Sequence, residues 1–127
     1  MRIFIFGGSG YIGSSLVKLL QEDNKNKIAF TYCTSKEKSL QMENENTKSI
    51  EVSRLSNNSI EDAFNKAKED LSGVDAYVLA ARSCSSSKKL DFELGVYSLN
   101  KLAELVTPEL EMEGSPSKNF VVLGSLS

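Results

Sequence analysis

The residues with the clearest chemical potential form a glycine-rich segment near the start of the chain, Gly7-Gly8-Ser9-Gly10-Tyr11-Ile12-Gly13. Its spacing fits Gly-x-Gly-x-x-Gly counted from Gly8 and Gly-x-x-Gly-x-x-Gly counted from Gly7. In such a segment the first glycine permits a sharp turn, the middle one admits a pyrophosphate, and the last brings the helix close to the strand. Free N–H groups and the helix dipole then hold the phosphates. The segment therefore predicts a dinucleotide-binding site, and a purely structural tight turn is the alternative.

The flanking elements have the context that this chemistry requires. Arg2–Phe6 is a short apolar run that ends at glycine, which is typical of a strand buried on both faces of a parallel sheet. A helical spacing of apolar residues follows, at Ile12, Leu16, Leu19 and Leu20. A strand, a glycine turn and an amphipathic helix therefore succeed one another, as the motif demands.

The end of the second predicted strand, residues 28–33, indicates which dinucleotide binds. An acid at this point binds the ribose of NAD, whereas a cation and hydroxyls suit the 2′-phosphate of NADP. Here the strand is followed by Thr34, Ser35 and Lys36, and no acid occurs before Glu37. We therefore expect NADP, with NAD as the alternative cofactor. The competing interpretation is that Thr34 and Ser35 only cap the next helix while Lys36 points to solvent.

Strands and helices alternate along the rest of the chain. A polar helix is expected within residues 35–45. A second helix is expected behind the capping-box-like segment Ser59–Asp62 and before Gly73, with one apolar face formed by Ile60, Phe64, Ala67 and Leu71. A long helix over 88–113 should bend or restart at Pro108, and its apolar face is formed by Phe92, Val96, Leu99, Ala103, Val106 and Leu110. Further strands are expected at 49–52, 74–81 and 120–123. This order predicts an α/β fold of Rossmann type: a doubly wound parallel sheet of about five strands in three α/β/α layers, forming one domain over residues 1–127.

Composition narrows the function classes. The 127-residue chain carries a net charge of −2, which provides no basic field for nucleic acid. No apolar run approaches the roughly 20 residues that span a bilayer, and no leader sequence is recognisable. The chain has no histidine, and Cys33 and Cys84 lie far apart, so we expect neither a metal site nor a histidine base. Free thiols and the absence of a targeting signal suggest the cytoplasm.

Four segments together resemble the short-chain dehydrogenase/reductase superfamily. They are the glycine turn, the strand Val74–Ala81, the long helix ending near Gly114, and the segment Asn119–Ser127. The resemblance implies that Ala80 and Ala81 lie against the cofactor ribose, although close packing of strand on helix explains these alanines equally well. Where the family has an Asn-Asn-Ala-Gly-like turn, this chain has Leu-Ala-Ala-Arg. The local support of the strand must therefore differ.

The resemblance also implies catalytic positions. Ser125, with Ser127 as second choice, aligns with the family serine that orients a substrate carbonyl or alcohol; an ordinary loop serine is the alternative. Asn100 is the candidate for the helix asparagine that supports a proton-relay water, although it lies about one turn too close to the next strand. The outer face of helix 88–113 is the expected surface for a homo-oligomer.

The family's Tyr-x-x-x-Lys motif lies downstream of its serine and has no counterpart there, because all four tyrosines of this chain precede Ser125. The spacing itself occurs only upstream, at Tyr32–Lys36 and Tyr97–Lys101. We expect the N-terminal part of a longer NADP-dependent oxidoreductase that transfers hydride to or from a small carbonyl or alcohol substrate. A naturally short chain is the alternative. The alternative functions are a sugar-nucleotide epimerase or dehydratase of the extended type, and a non-catalytic dinucleotide-binding module.

Overall fold

The computed structural model of the chain describes residues 1–8, 11–32, 36–52, 57–80, 100–108 and 119–122. Its strands are β1 (Arg2–Phe6), β2 (Lys27–Tyr32), β3 (Thr47–Glu51), β4 (Ala76–Leu79) and β5 (Asn119–Val122). Its helices are α1 (Tyr11–Gln21), α2 (Lys36–Met42) and α3 (Asn57–Leu71), and residues 100–108 are also helical. None of the helices in these ranges is long and apolar enough to cross a membrane.

The five strands form one parallel sheet in the order β3-β2-β1-β4-β5. The chain moves outward from β1 to β3 and then returns to the other side of β1, so the strand order reverses between β1 and β4. Two apolar clusters lie on opposite faces of this sheet, one containing α3 residues and the other containing residues of α1 and α2. The predicted doubly wound α/β fold is confirmed. In open sheets of this kind ligands bind outside the carboxyl ends of the strands where the order reverses, which here are β1 and β4.

Strand β1 is buried on both faces, as its apolar sequence predicts. Ile3 and Ile5 pack in the α1-side cluster, whereas Phe4 and Phe6 pack in the α3-side cluster. Alternate side chains of a strand point to opposite faces, so a strand at the centre of the sheet needs apolar residues at every position. β1 therefore fixes where the glycine turn leaves the sheet.

Helix α3 packs on the sheet through the predicted apolar face, with Ile60, Phe64, Ala67 and Leu71 all buried. The Phe64 ring stacks on Tyr77 of β4 with centroids 5.5 Å apart. The predicted capping box is wrong, because the helix begins at Asn57 and Ser59 lies inside it. The spacing of apolar residues identifies the buried face of the helix. It does not show where the helix begins, because the residues of the first turn are mostly polar.

Helix α1 buries only part of the face that its apolar residues predict, since Leu16 and Leu20 pack against the α1-side cluster. Ile12 and Leu19 are 44% and 61% exposed, whereas Val17 and Ser14 are buried. Gly13 lies against the backbone of the glycine turn and so determines which side of the helix approaches the sheet. Val17 lies one turn further along that side. Close backbone contact at Gly13 therefore turns the helix away from the side that Ile12 and Leu19 occupy.

The helical segment 100–108 also differs in detail from its prediction. Leu102 and Val106 are buried in the α3-side cluster, whereas Ala103, which was expected on the buried face, is only half-buried. Residue 108 is still helical, so Pro108 does not end the helix before that position. The remaining predicted face residues, Phe92, Val96, Leu99 and Leu110, lie outside the described residues.

An ion pair between Arg2 and Asp75 joins the amino-terminal ends of β1 and β4. The Arg2 guanidinium donates to both Asp75 carboxylate oxygens, at 3.0 and 3.2 Å, and the Arg2 N–H donates to the same carboxylate at 2.9 Å. These hydrogen bonds hold the pKa of Asp75 at about 2, and they raise the pKa of Arg2. The pair lies at the edge opposite the glycine turn, so its role is structural.

Candidate functional site

The glycine turn and Ala80 meet at the carboxyl edge of the two central strands. Gly7 and Gly8 follow β1 directly, and Ala80 follows β4. The Ala80 N–H donates to the Phe6 carbonyl at 2.8 Å, so the two strands stay paired up to the point where the turn begins. This is the place where the strand order reverses, and open parallel sheets bind their ligands there.

Gly7 makes the sharp turn out of the sheet. Its φ is +92°, a conformation that side chains strongly disfavour. Its N–H donates to the hydroxyl of Thr31 on β2 at 2.7 Å. The sharp turn predicted for the first glycine is therefore present at Gly7.

Gly8 and Gly13 are required by close packing within the turn. A Cβ on Gly8 would lie 2.4 Å from the Phe30 Cβ. A Cβ on Gly13 would lie 2.3 Å from the Gly7 carbonyl oxygen and 2.8 Å from the Gly8 Cα. The start of α1 therefore rests directly on the turn backbone. Close backbone packing of this kind is what brings the N–H groups at a helix start within reach of a phosphate.

The electrostatics of α1 suit an anion at its amino end. The helix begins at Tyr11, its first turn contains no acidic residue, and Lys18 lies in its last turn. The helix dipole places partial positive charge at the first turn, where no carboxylate competes with a phosphate. Ile12, in the same turn, is exposed. Gly13 has no side chain, and Ile12 has an apolar one, so these two residues offer only backbone polar groups to a ligand.

Lys36 is the first residue of α2 and is exposed, directly after the segment that follows β2. Glu37 lies in the same first turn. The other two residues of the cofactor-selecting group, Thr34 and Ser35, lie outside the described residues. The position of Lys36 suits a charge that reaches a ligand phosphate, and it equally suits a solvated lysine, so its cofactor role stays a prediction.

The predicted catalytic residues are placed only in part. Asn100 is exposed at the beginning of the described helical segment 100–108. Ser125 comes three residues after the end of β5 and lies outside the described residues, as do Ser9, Gly10 and Ala81. The structure thus brings Gly7, Gly8, Gly13 and Ala80 together at one edge, while the catalytic assignments stay predictions.

A polar cluster lies beneath α2, near the carboxyl end of β2. The Ser49 hydroxyl and N–H both donate to Glu43 Oε1, the latter at 3.0 Å, and this lowers the pKa of Glu43. Burial raises the pKa of Tyr32, and the nearby Glu51 and Glu43 raise it further. At neutral pH Tyr32 is therefore a neutral phenol. The Ser49–Glu43 hydrogen bonds join the residue that follows α2 to β3.

Two residues of the site were missed by the sequence analysis, Phe30 and Thr31. The Phe30 side chain packs directly against Gly8, and the Thr31 hydroxyl accepts the hydrogen bond from the Gly7 N–H. The only available signal was a hydroxyl residue in an otherwise apolar part of β2. That signal is weak, because threonine is common in strands whatever its role.

Comparison with known proteins adds a sequence family. Residues 2–94 match the family model described as semialdehyde dehydrogenase, NAD binding domain. This range contains the glycine turn, Lys36 and Ala80. A search of curated proteins found no match.

Solved structures share the fold at low sequence identity. A short-chain dehydrogenase/reductase from Serratia marcescens is 20% identical with a TM-score of 0.74, and it matches over 98% of this chain and 55% of its own. The enzyme KRED1-Pglu is 13% identical with a TM-score of 0.78, over 99% and 57% of the two chains. A blue fluorescent protein from a metagenomic library, solved in complex with NADPH, is 22% identical with a TM-score of 0.73, over 98% and 56%.

The chain spans little more than half the length of these solved proteins. Within that span the strands, the helices and the glycine turn follow the order that the sequence predicts. The predicted nicotinamide-dinucleotide-binding Rossmann domain is confirmed at the level of family and fold. The chain belongs to the semialdehyde dehydrogenase NAD-binding-domain family and has the Rossmann fold seen in short-chain dehydrogenases/reductases.

Proposed function

We propose that this chain is the cofactor-binding part of an NADP-dependent oxidoreductase that transfers hydride to or from a carbonyl or alcohol. The observation that carries the proposal is the backbone cradle of Gly7, Gly8 and Gly13 beside Ala80, at the reversal of strand order. Family membership supports a nicotinamide dinucleotide as its ligand. The choice of NADP, the substrate and the reaction are the proposal's own content.

Each part of the cofactor has a proposed contact. Backbone N–H groups of the turn and of the first turn of α1 bind the pyrophosphate, and the turn includes Ser9 and Gly10. Ala80 and Ala81 lie against the cofactor ribose without obstructing it. Thr34 and Ser35 donate hydrogen bonds to the 2′-phosphate, and Lys36 supplies its counter-charge. When bound, the nicotinamide supplies the hydride chemistry.

The substrate side of the proposal depends on Ser125 and Asn100. The Ser125 hydroxyl orients the substrate oxygen, and Asn100 supports the water that relays its proton. In the family the proton-donating tyrosine follows the serine, and no tyrosine follows Ser125 in this sequence, so in this proposal a longer protein supplies it. The family description names semialdehyde dehydrogenases, which supports an aldehyde within the proposed carbonyl class.

The cofactor proposal is tested by calorimetric titration of the chain with NADPH and NADH. Gly10→Asp places a carboxylate in the cradle, and loss of binding without loss of fold is expected. Lys36→Ala should weaken NADPH on the order of tenfold and leave NADH unchanged, since one charge-assisted contact is lost. The matched control is Lys38→Ala, another exposed lysine of α2. An equal effect of Lys36→Ala on both cofactors would remove the NADP assignment.

The reaction is tested on the longest natural form of the protein with NADPH and a panel of aldehydes, ketones and sugar nucleotides. Reduction of a carbonyl is expected. Conversion of a sugar nucleotide without net redox change would instead favour an epimerase or dehydratase. Binding without turnover of anything would favour the non-catalytic module. The same preparation tests the proposed homo-oligomer through helix 88–113 by sedimentation, and fractionation of the source cells tests the cytoplasmic location.

A further inference from the structure

Thr31 occupies an unusual place in the pairing of β1 with β2. The backbone N–H and C=O groups of the odd-numbered residues around β1 point toward β2. The Lys27 N–H donates to the Met1 carbonyl at 2.9 Å, and Ile5 is paired with Phe30 in the register of the two strands. The backbone groups of the even-numbered residues point toward β4, and at this side the Ala80 N–H donates to the Phe6 carbonyl. The next bond of the β1–β2 ladder would run from the Gly7 N–H to the Thr31 carbonyl.

The Thr31 hydroxyl receives that bond instead. Its oxygen lies 2.7 Å from the Gly7 nitrogen, and Thr31 is only 2% exposed. The ladder therefore ends at a side chain, which lets the backbone leave the sheet at Gly7 while its N–H remains satisfied. A valine at this position would leave the partly buried Gly7 N–H without its acceptor.

The carbonyl group of Gly7 is also constrained by its neighbours. The Gly7 carbonyl lies against Gly13 of α1, where even a methyl group would come within 2.3 Å of the oxygen. Phe30, which precedes Thr31 on β2, supports Gly8 from below. Gly7 is thus fixed at its N–H by β2 and at its C=O by α1, and its orientation determines the shape of the cradle.

We infer that Thr31 is a positioning residue for the dinucleotide: its hydroxyl holds the glycine turn in the shape that receives the pyrophosphate. The inference rests on the proposed function. Thr31 acts through Gly7 and touches no ligand. Thr31 should therefore affect binding of the pyrophosphate, which NADPH and NADH share. Lys36 should affect binding of the 2′-phosphate, which only NADPH carries.

The test compares Thr31→Val, which keeps the shape and removes the acceptor, with Thr31→Ser, which keeps the hydroxyl. Titrations with NADPH and NADH are made well below the unfolding midpoint of each variant, so that a loss of stability alone does not change the measured affinity. Thr31→Val should weaken both cofactors equally, on the order of tenfold, and Thr31→Ser should restore binding to within about twofold. Wild-type affinity in folded Thr31→Val would overturn the inference.

Amide hydrogen exchange on the wild-type chain gives a second measurement, which does not depend on whether a variant folds. The Gly7 N–H should exchange as slowly as that of Ile5, because both are hydrogen-bonded to β2. Fast exchange at Gly7 beside slow exchange at Ile5 would overturn the inference by itself. If the wild-type chain binds neither cofactor, the proposed function fails, and that outcome is distinct from tight binding by Thr31→Val.

Discussion

Asp75 makes the fold sensitive to acid in a way that can be calculated. Its pKa is lowered from 3.8 to about 2, first by the hydrogen bonds from Arg2. At ~1.36 kcal/mol per pH unit this difference corresponds to about 2 kcal/mol of stability. The side chains of Arg2 and Asp75 are 37% and 27% exposed, so solvent screening reduces the contribution to about 1–2 kcal/mol.

The sign follows from the direction of the shift. A carboxyl group with a lowered folded-state pKa stabilises the fold fully above its unfolded pKa of 3.8, and this stabilisation disappears as the pH falls through about 2. Roughly half of it should be lost by about pH 3. Asp75→Asn should therefore lower the free energy of unfolding by about 1–2 kcal/mol near neutral pH, and by clearly less near pH 3.

Urea unfolding of the wild type and Asp75→Asn at about pH 6 and about pH 3 measures the two differences. Asp62→Asn, an exposed aspartate substitution on α3, controls for the loss of one negative charge. A stability difference between wild type and Asp75→Asn that is the same at both pH values would refute the reasoning. So would a difference no larger than that of the control.

Three further substitutions test the geometry of the turns and the core. Ser72→Gly should raise the free energy of unfolding by about 0.5–1 kcal/mol, because Ser72 ends α3 with φ +57°, and an unchanged urea midpoint would contradict this. Gly13→Ala should abolish dinucleotide binding and lower the thermal midpoint, since its methyl group meets the Gly7 carbonyl. Normal titration would contradict that expectation, and exposed Ser15→Ala on the same helix is the control. Ser39→Ala should stabilise the fold by about 1 kcal/mol in urea unfolding, because the Ser39 hydroxyl is fully buried and has no hydrogen-bond partner among the described residues; a clear loss of stability would count against it.

Local patterns were sufficient to predict the architecture. The all-apolar β1, the glycines that follow it and the alternation of strands with helices specify a doubly wound sheet, because each signal is contained in a few neighbouring residues. The close packing at Gly13 was also predictable, since it follows from the motif. The buried side of α1 was not: Ile12 and Leu19 fit a helical period but lie in solvent. A hydrophobic period shows that a helix is amphipathic, whereas the contact with the sheet decides which residues are covered.

The sequence by itself determined that this chain builds a strand, a glycine turn and a helix able to bind a dinucleotide. Only the tertiary structure decided what holds that turn in place. The Thr31 hydroxyl meets Gly7 across 24 positions of the sequence, and Arg2 meets Asp75 across 73. Such contacts depend on which strands lie side by side and in which register, and a long-range pairing leaves no periodic trace in the residues that make it.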